Sequence, residues 1–355
     1  MLPGLPDNPS RILIIKPSAL GDVVHAVPVL KLLRRRFPRA HITWLINPGF
    51  APLVAGLPEL DEVLLFDRRK LAGFWRSVPR GEALAGVVQQ LSAGSYELVL
   101  DLQGLLRSAY LASTTRGVVV GPADAREFGR LFYTHAVETR SRDRHAVVKL
   151  LDIARAVGCE ASPPDFGLAL TAAELAEARR LLGGTGPFAL LLPGTNWATK
   201  RWPADRFAQL VEPLRQRLGL ASVVGGAGDV LAMGDVFGEA LNLAGRTGVR
   251  QLAAVISLAD LVISNDSGPM HIAAALGRPL VALFGPTDPA RTGPYGRSDA
   301  VLRLPLPCSP CLSRRCAHTS CLNWLEVEQV LAAAQRQAGA EPSAEGGFGI
   351  SCRWA

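Results

Sequence analysis

Three short segments combine the residue types that a group transfer needs. The first is Lys16-Pro-Ser-Ala-Leu-Gly-Asp22, where Gly21 lets backbone approach a ligand closely and Asp22 offers a carboxylate. A carboxylate at the rim of a binding cleft can take a proton from a hydroxyl and make it a nucleophile; the plain alternative is a helix cap. The second is Pro193-Gly-Thr-Asn-Trp-Ala-Thr-Lys-Arg-Trp-Pro203, which sets Lys200 and Arg201 beside Thr195 and Thr199. Cations and hydroxyls just ahead of a helix start at Pro203 suit a phosphate. Trp197 and Trp202 flank those charges, and exposed loops seldom hold two tryptophans without a packing or binding reason. The third is Ser264-Asn-Asp-Ser-Gly-Pro-Met-His271: a turn at Asp266-Ser267-Gly268, then Pro269 at the favoured first helical position. Unpaired N–H groups and the positive end of a helix dipole gather at such a place. His271, one turn in, reads by itself as a core histidine.

These loops need strands behind them and helices after them. Arg11–Ile15 is a β-branched apolar run that stops at the first loop and resumes as a helical pattern over 23–37. Further strands are expected at 41–46, 62–66 and 97–102, and in a second series at 188–192, 221–225, 261–264 and 280–284. Their hydrophobicity is continuous rather than alternating, the mark of parallel strands covered on both faces. Between the series lies a Pro-rich stretch at 162–164. It is followed by a helix over 171–182 in which Thr171 and Glu174 form a capping box. A last helix is expected at 326–338. The reading is α/β: two Rossmann-like domains facing a cleft, with ligands at the carboxyl ends of the strands. Gly285-Pro-Thr-Asp-Pro289 then falls at another strand end of the second sheet.

At 355 residues and 48% hydrophobic, the chain can bury two cores, and 19% charge excludes global disorder. No apolar run is long enough to span a bilayer, and the first ten residues lack the pattern of a secretory signal, so a cytoplasmic protein is expected. A net charge of +7 favours anionic partners. Aromatics do not interleave with the basic residues, which argues against nucleic acid. Neither the Gly-x-Gly-x-x-Gly nor the Walker spacing follows the first strand, so dinucleotide and P-loop chemistry are unsupported.

The five segments Lys16–Asp22, Asp101-Leu-Gln-Gly-Leu105, Lys200-Arg-Trp-Pro203, Asn265–His271 and Gly285–Pro289 together resemble glycosyltransferase family 9, the bacterial heptosyltransferases of the lipopolysaccharide inner core. The resemblance implies a GT-B fold and inverting transfer that requires no cofactor. It implies an acceptor domain over 11–165 and a nucleotide-sugar domain over 166–323. A helix over 324–338 would pack back toward the first domain, and a flexible tail would cover 339–355. Carried over by position, Asp22 is the base on the acceptor hydroxyl. Lys200, Thr195 and Asn196 hold the donor diphosphate, and Asp266 touches the sugar. Ser267, Gly268 and His271 line the pocket, Thr247 lies near adenine and Asp229 near the ribose. The donor would be ADP-heptose and the acceptor an anionic glycolipid, Kdo-lipid A or its heptosylated core, with Lys16, Arg68, Arg69, Lys70, Arg107, Arg126 and Arg130 as candidates to hold it. Gly121–Glu127 and Arg68-Arg-Lys70 resemble the first heptosyltransferase, whereas Lys200–Pro203 and Asn265–Gly268 resemble the second. The rival readings are a transferase of another sugar, a nucleotide-sugar epimerase on the same fold and a non-catalytic binder.

Two further expectations follow from residue type. The basic run from Lys31 to Arg39 would aid peripheral contact with the inner membrane by a monomeric enzyme. Cys308, Cys311, Cys316 and Cys321 offer four soft ligands at short spacing, suited to a structural zinc or iron; two disulfides or four free thiols are the alternatives.

Overall fold

The computed structural model describes residues 2–67, 78–139, 144–226, 230 and 233–339. Two compact units meet between Ala161 and Ser162, a few residues before the expected boundary. The first contains β1 (Arg11–Ile15), α1 (Leu20–Arg36), β2 (His41–Ile46), β3 (Glu62–Leu65), α2 (Val78–Ala93), β4 (Leu98–Asp101), α3 (Leu106–Ser113), β5 (Val118–Pro122), β6 (His135–Val137) and α4 (Ala146–Ala156). Its six strands are all parallel, in the order β3-β2-β1-β4-β5-β6. All but the first residue of β1, and every residue of β4, is buried, as strands roofed on both faces must be.

The second unit repeats the plan. It runs α5 (Ala172–Leu182), β7 (Phe188–Leu192), α6 (Ala204–Gln209), α7 (Val211–Leu218), β8 (Ala221–Val224), β9 (Leu241–Asn242), α8 (Val249–Leu258), β10 (Leu261–Asn265), α9 (Gly268–Ala275), β11 (Leu280–Phe284), β12 (Val301–Arg303) and α10 (Val327–Ala338). Its parallel order β12-β11-β10-β7-β8-β9 is the same 3-2-1-4-5-6 winding read from the other edge. In such a sheet the crevice opens where the strand order reverses. That point lies between β1 and β4 in the first unit and between β7 and β10 in the second. Each unit's switch point gathers the loops after its own two strands.

The capping box of α5 is present: Glu174 N donates to Thr171 Oγ1 at 3.3 Å and Thr171 N to Glu174 Oε2 at 2.7 Å. Arg250 grips the same carboxylate at 2.6 Å and, with Thr171, lowers its pKa to about 2. The final helix, expected to pack toward the first unit, buries Val330, Leu331 and Ala334 in the core of the second, alongside Trp202, Leu322 and Leu325. In the basic run expected to aid membrane contact, Arg35 and Arg39 are exposed, while Arg34 and Arg36 are engaged in the fold. Arg34 donates to the carbonyls of Glu59 and Ala40 and pairs with Asp61, while Arg36 stacks on Phe37 at 4.8 Å. Among the described residues, no helix is long and apolar enough to cross a membrane.

Candidate functional site

In the first unit the loop from β1 to α1 is held from beneath. The Lys16 ammonium, only 6% exposed, donates to the Leu102 carbonyl at 2.9 Å, and Trp44 Nε1 donates to the Lys16 carbonyl at 3.2 Å. Ser18 N donates to Gln103 Oε1 at 3.3 Å. The loop after β1 is thus stitched to the loop after β4, with Lys16, a candidate to hold the acceptor, bracing it in this fold. Asp22 sits at the third position of α1, where its Oδ2 accepts from Ala19 N at 2.9 Å. That bond satisfies one orphan N–H of the helix start and fixes the carboxylate at the loop's rim. Both readings of Asp22 are therefore compatible: it caps the helix, and among the described residues its second oxygen accepts no hydrogen bond.

Behind that loop stands a residue whose role the sequence does not announce. Asp101, fully buried at the end of β4, accepts from Gln103 N at 2.9 Å, Gly104 N at 3.2 Å, Ser108 Oγ at 2.9 Å and Tyr133 Oη at 2.7 Å. Burial raises its pKa although every one of these bonds opposes the rise. Burial, and then the charge of Asp101, push the Tyr133 hydroxyl far above its ordinary range, so it remains a donor. This network shapes the turn carrying Gln103, which in turn holds Ser18.

The second unit joins its crevice through side chains. Lys200 Nζ meets Asp266 Oδ2 at 2.7 Å, with the two side chains 16% and 5% exposed. Thr287 Oγ1 donates to the same carboxylate oxygen at 2.5 Å, and Thr195 Oγ1 donates to the Asp266 carbonyl at 3.0 Å. Asn265 fastens the neighbouring strand end, accepting from Trp202 N at 3.1 Å and donating to the Pro193 carbonyl at 2.8 Å. Arg201 donates twice to the Thr195 carbonyl, at 3.2 and 2.9 Å. Of the residues expected around a diphosphate, Lys200 and Thr195 thus converge on Asp266, and Thr287, Asn265 and Arg201 join them. Ser267 precedes α9 without its side chain capping the helix, so the N–H groups of Gly268 and Met270 are not taken by it. His271 is buried one turn further in. Asn196 is exposed.

The two tryptophans divide. Trp202 is core: 1% exposed, edge-on to Phe207 at 5.0 Å, its Nε1 donating to the Leu325 carbonyl. Trp197 is half-buried and lies between two cations, Lys200 Nζ at 4.6 Å and Arg314 at 4.5 Å from its ring centre. Thr247 places its hydroxyl oxygen in a buried position with no hydrogen-bond partner among the described residues. Arg107, Arg126 and Arg130 are exposed on the first unit. Arg68, Arg69, Lys70 and Asp229 lie outside the described residues, as does the tail from 340.

Cys308 and Cys311 are exposed, Cys316 is half-buried, Cys321 is buried, and all four are free thiols. Burial pushes the Cys321 thiol up, and the charges of Cys311, Cys308 and Cys316 add to the shift, so the four share a neighbourhood. Yet among the described residues no three Cys, His, Asp or Glu side chains are placed to hold one ion. The residue types suit a soft metal, but as arranged they do not fit one.

Comparison with known proteins places this geometry in context. Residues 85–321 match the model of glycosyltransferase family 9 (heptosyltransferase). The chain is 33% identical over 327 residues to lipopolysaccharide heptosyltransferase 1 of Pseudomonas aeruginosa, covering 87% of this chain and 88% of that protein. Against lipooligosaccharide heptosyltransferase 2 of Haemophilus ducreyi the identity is 27% over 322 residues, covering 83% and 88%. Among solved structures, the Escherichia coli heptosyltransferase WaaC with ADP-2-deoxy-2-fluoro heptose aligns over 92% of this chain and 99% of that one, at 27% identity and a TM-score of 0.73.

Proposed function

The chain belongs to glycosyltransferase family 9, a GT-B glycosyltransferase, and from that premise we propose that it moves heptose from ADP-heptose onto the inner core of a lipopolysaccharide precursor. The observation that carries the donor half is the Lys200–Asp266 pair, locked by Thr195 and Thr287 at the start of α9. A diphosphate leaving group gathers negative charge as its bond to the sugar breaks. Fixed cations and helix N–H groups favour that charge without reorganising. Lys200 and the N–H groups from Gly268 serve the phosphates, Asp266 the sugar hydroxyls, and the unpartnered Thr247 hydroxyl the adenine end. Names of similar proteins support the same donor, since WaaC was solved with a fluorinated ADP-heptose.

Asp22 carries the acceptor half. Its carboxylate takes the proton of an acceptor hydroxyl, and that oxygen attacks the anomeric carbon from the face opposite the diphosphate. The carbon–oxygen bond to ADP breaks, inverting the centre. ADP leaves with the electron pair, and Asp22 passes its proton to solvent. Base and donor clamp are carried by different units. We place the enzyme at the cytoplasmic face of the inner membrane, acting as a monomer in which each sheet is completed by one chain.

The first heptose addition is the preferred step, because identity to the first-type relative exceeds identity to the second-type one. The test is ADP release from ADP-heptose with a deacylated Kdo-lipid A acceptor, compared with the same acceptor already carrying one heptose. Release driven by the unheptosylated acceptor is expected. Release only with the heptosylated one moves the enzyme one step along, and release with neither overturns the reading.

A further inference from the structure

The first unit exposes large apolar side chains where its fold gains nothing from doing so. Phe128 and Leu131 are each 81% exposed, and Leu106 and Tyr110 are exposed beside them. They come from two neighbouring pieces. Leu106 and Tyr110 lie four apart on α3, on one face of it. Phe128 and Leu131 belong to the turn around Gly129–Phe132, which packs directly on that helix. A β-carbon at Gly129 would stand 3.3 Å from Ala109 Cβ and from the Leu105 backbone. The rings of Tyr110 and Phe132 meet edge to face, their centres 6.3 Å apart. The result is one apolar ridge.

Its backbone is unusual as well. Glu127 and Phe128 both take positive φ, 58° and 63°, a conformation that bulky side chains rarely adopt. Strain persists in a fold when its surroundings impose it, and it collects at working sites. Here it leaves a phenylalanine in solvent. Around the ridge stand Arg107, Arg126 and Arg130, all exposed and, among the described residues, in no ion pair. The neighbouring Asp124 is taken by Lys149 at 3.0 Å, which leaves the three guanidinium groups without that carboxylate.

Exposed apolar tips with exposed arginines on the same two segments match one surface closely: an anionic bilayer, with the tips at the boundary of headgroups and acyl chains and the guanidinium groups on phosphates. The geometry points to this ridge as a membrane-docking surface, with Phe128 and Leu131 entering the interfacial layer while Arg107, Arg126 and Arg130 hold lipid phosphates. It rests on, and deepens, the reading of the acceptor as a membrane-borne glycolipid.

The test is sedimentation of the full chain with vesicles of phosphatidylglycerol and phosphatidylethanolamine, against vesicles of phosphatidylcholine alone, at physiological salt and without donor. Binding to the anionic vesicles is expected. Phe128→Ser with Leu131→Ser should weaken it by roughly tenfold or more, and each of Arg107→Gln, Arg126→Gln and Arg130→Gln by about fivefold. Trp324→Ser, which removes a 62%-exposed side chain of the second unit, should leave it unchanged. The double serine variant should keep wild-type thermal stability and wild-type turnover on a deacylated, water-soluble acceptor. No binding by the wild type, or equal binding by the double variant, overturns the docking surface. So does capture of a protein partner through the ridge in place of vesicles. Vesicle binding without heptose transfer would leave the surface standing and the transferase reading fallen; transfer without vesicle binding would do the reverse.

Discussion

The two crevices occupy the same place in the same winding, and each puts a lysine there, yet the lysines do opposite things. In the first unit Lys16 turns inward to a backbone carbonyl of the loop after β4 and disappears from the surface. In the second, Lys200 meets a carboxylate of the loop after β10 and keeps a solvent-facing share. A lysine bonded to a carbonyl is a fixed brace. A lysine paired with a carboxylate holds a positive charge ready beside groups that an incoming phosphate can share. On the proposed reading, the first crevice holds one carboxylate, Asp22, still. The second, on that reading, receives an anion.

Asp22→Asn would sharpen that contrast most. The amide can still accept from Ala19 N, so α1 should keep its cap and the protein its melting temperature. Removing a general base costs on the order of 10²–10⁴-fold in turnover. The expected result is a fall of that size in kcat, with ADP-heptose affinity, measured by calorimetry, close to wild type. A variant that loses donor affinity in proportion to kcat would sink the division of labour between the units.

Lys200→Ala comes next, with an expected loss of about 10²–10³-fold in kcat/KM, the usual size for one charge-stabilising group. It should also destabilise the fold, since Asp266 is left buried without its cation. The pair Lys200→Met with Asp266→Asn separates these effects. Thermal unfolding should return toward wild type while activity stays low. Recovery of both would reduce the Lys200–Asp266 pair to scaffolding.

On the other side of the comparison, Lys16→Met should reverse the pattern. It leaves the Leu102 carbonyl buried and unpaired, a cost of about 1–3 kcal/mol seen in denaturant unfolding. Activity per folded molecule should change by only a few fold. If turnover instead collapses with stability intact, Lys16 touches substrate after all and the two crevices are more alike than their bonding suggests.

What the sequence discloses follows from what each feature depends on. The central strands β1, β7 and β11 are legible as uninterrupted apolar runs because both faces of each are buried. The edge strands β6, β9 and β12, two or three residues long and largely half-buried, carry no such run. Thr195 and Lys200 are legible because their chemistry is local to one loop. That Thr195 reaches the Asp266 carbonyl, 71 residues on, is a consequence of strand order, which no local pattern carries. The bracing bond of Lys16 is hidden for the same reason, its partner lying 86 residues away. The Asp101 network hides in a motif whose glycine is visible but whose four donors come from three separate segments.

The smallest expected effects lie in the cysteine loop, and their ranking is the informative part. That loop is fastened to the second crevice: Thr199 Oγ1 donates to the Ser313 carbonyl at 2.9 Å, and Leu312 N to the Pro286 carbonyl at 2.7 Å. Four thiolates on one ion would contribute equally, since losing any ligand loses the metal and the folding energy it supplies. Thiols that only pack should matter in proportion to burial. Cys308→Ser and Cys311→Ser, both at exposed positions, should leave melting temperature and ADP release unchanged. Cys321→Ser should cost about 1 kcal/mol, because Cys321 is buried with its Sγ packed against Gly285 and a hydroxyl there needs a partner. Metal analysis of protein purified without a histidine tag completes the test. Uniform losses together with stoichiometric zinc or iron would mean that the four thiols converge in solution, and that the second crevice is braced by an ion where the first is braced by Lys16.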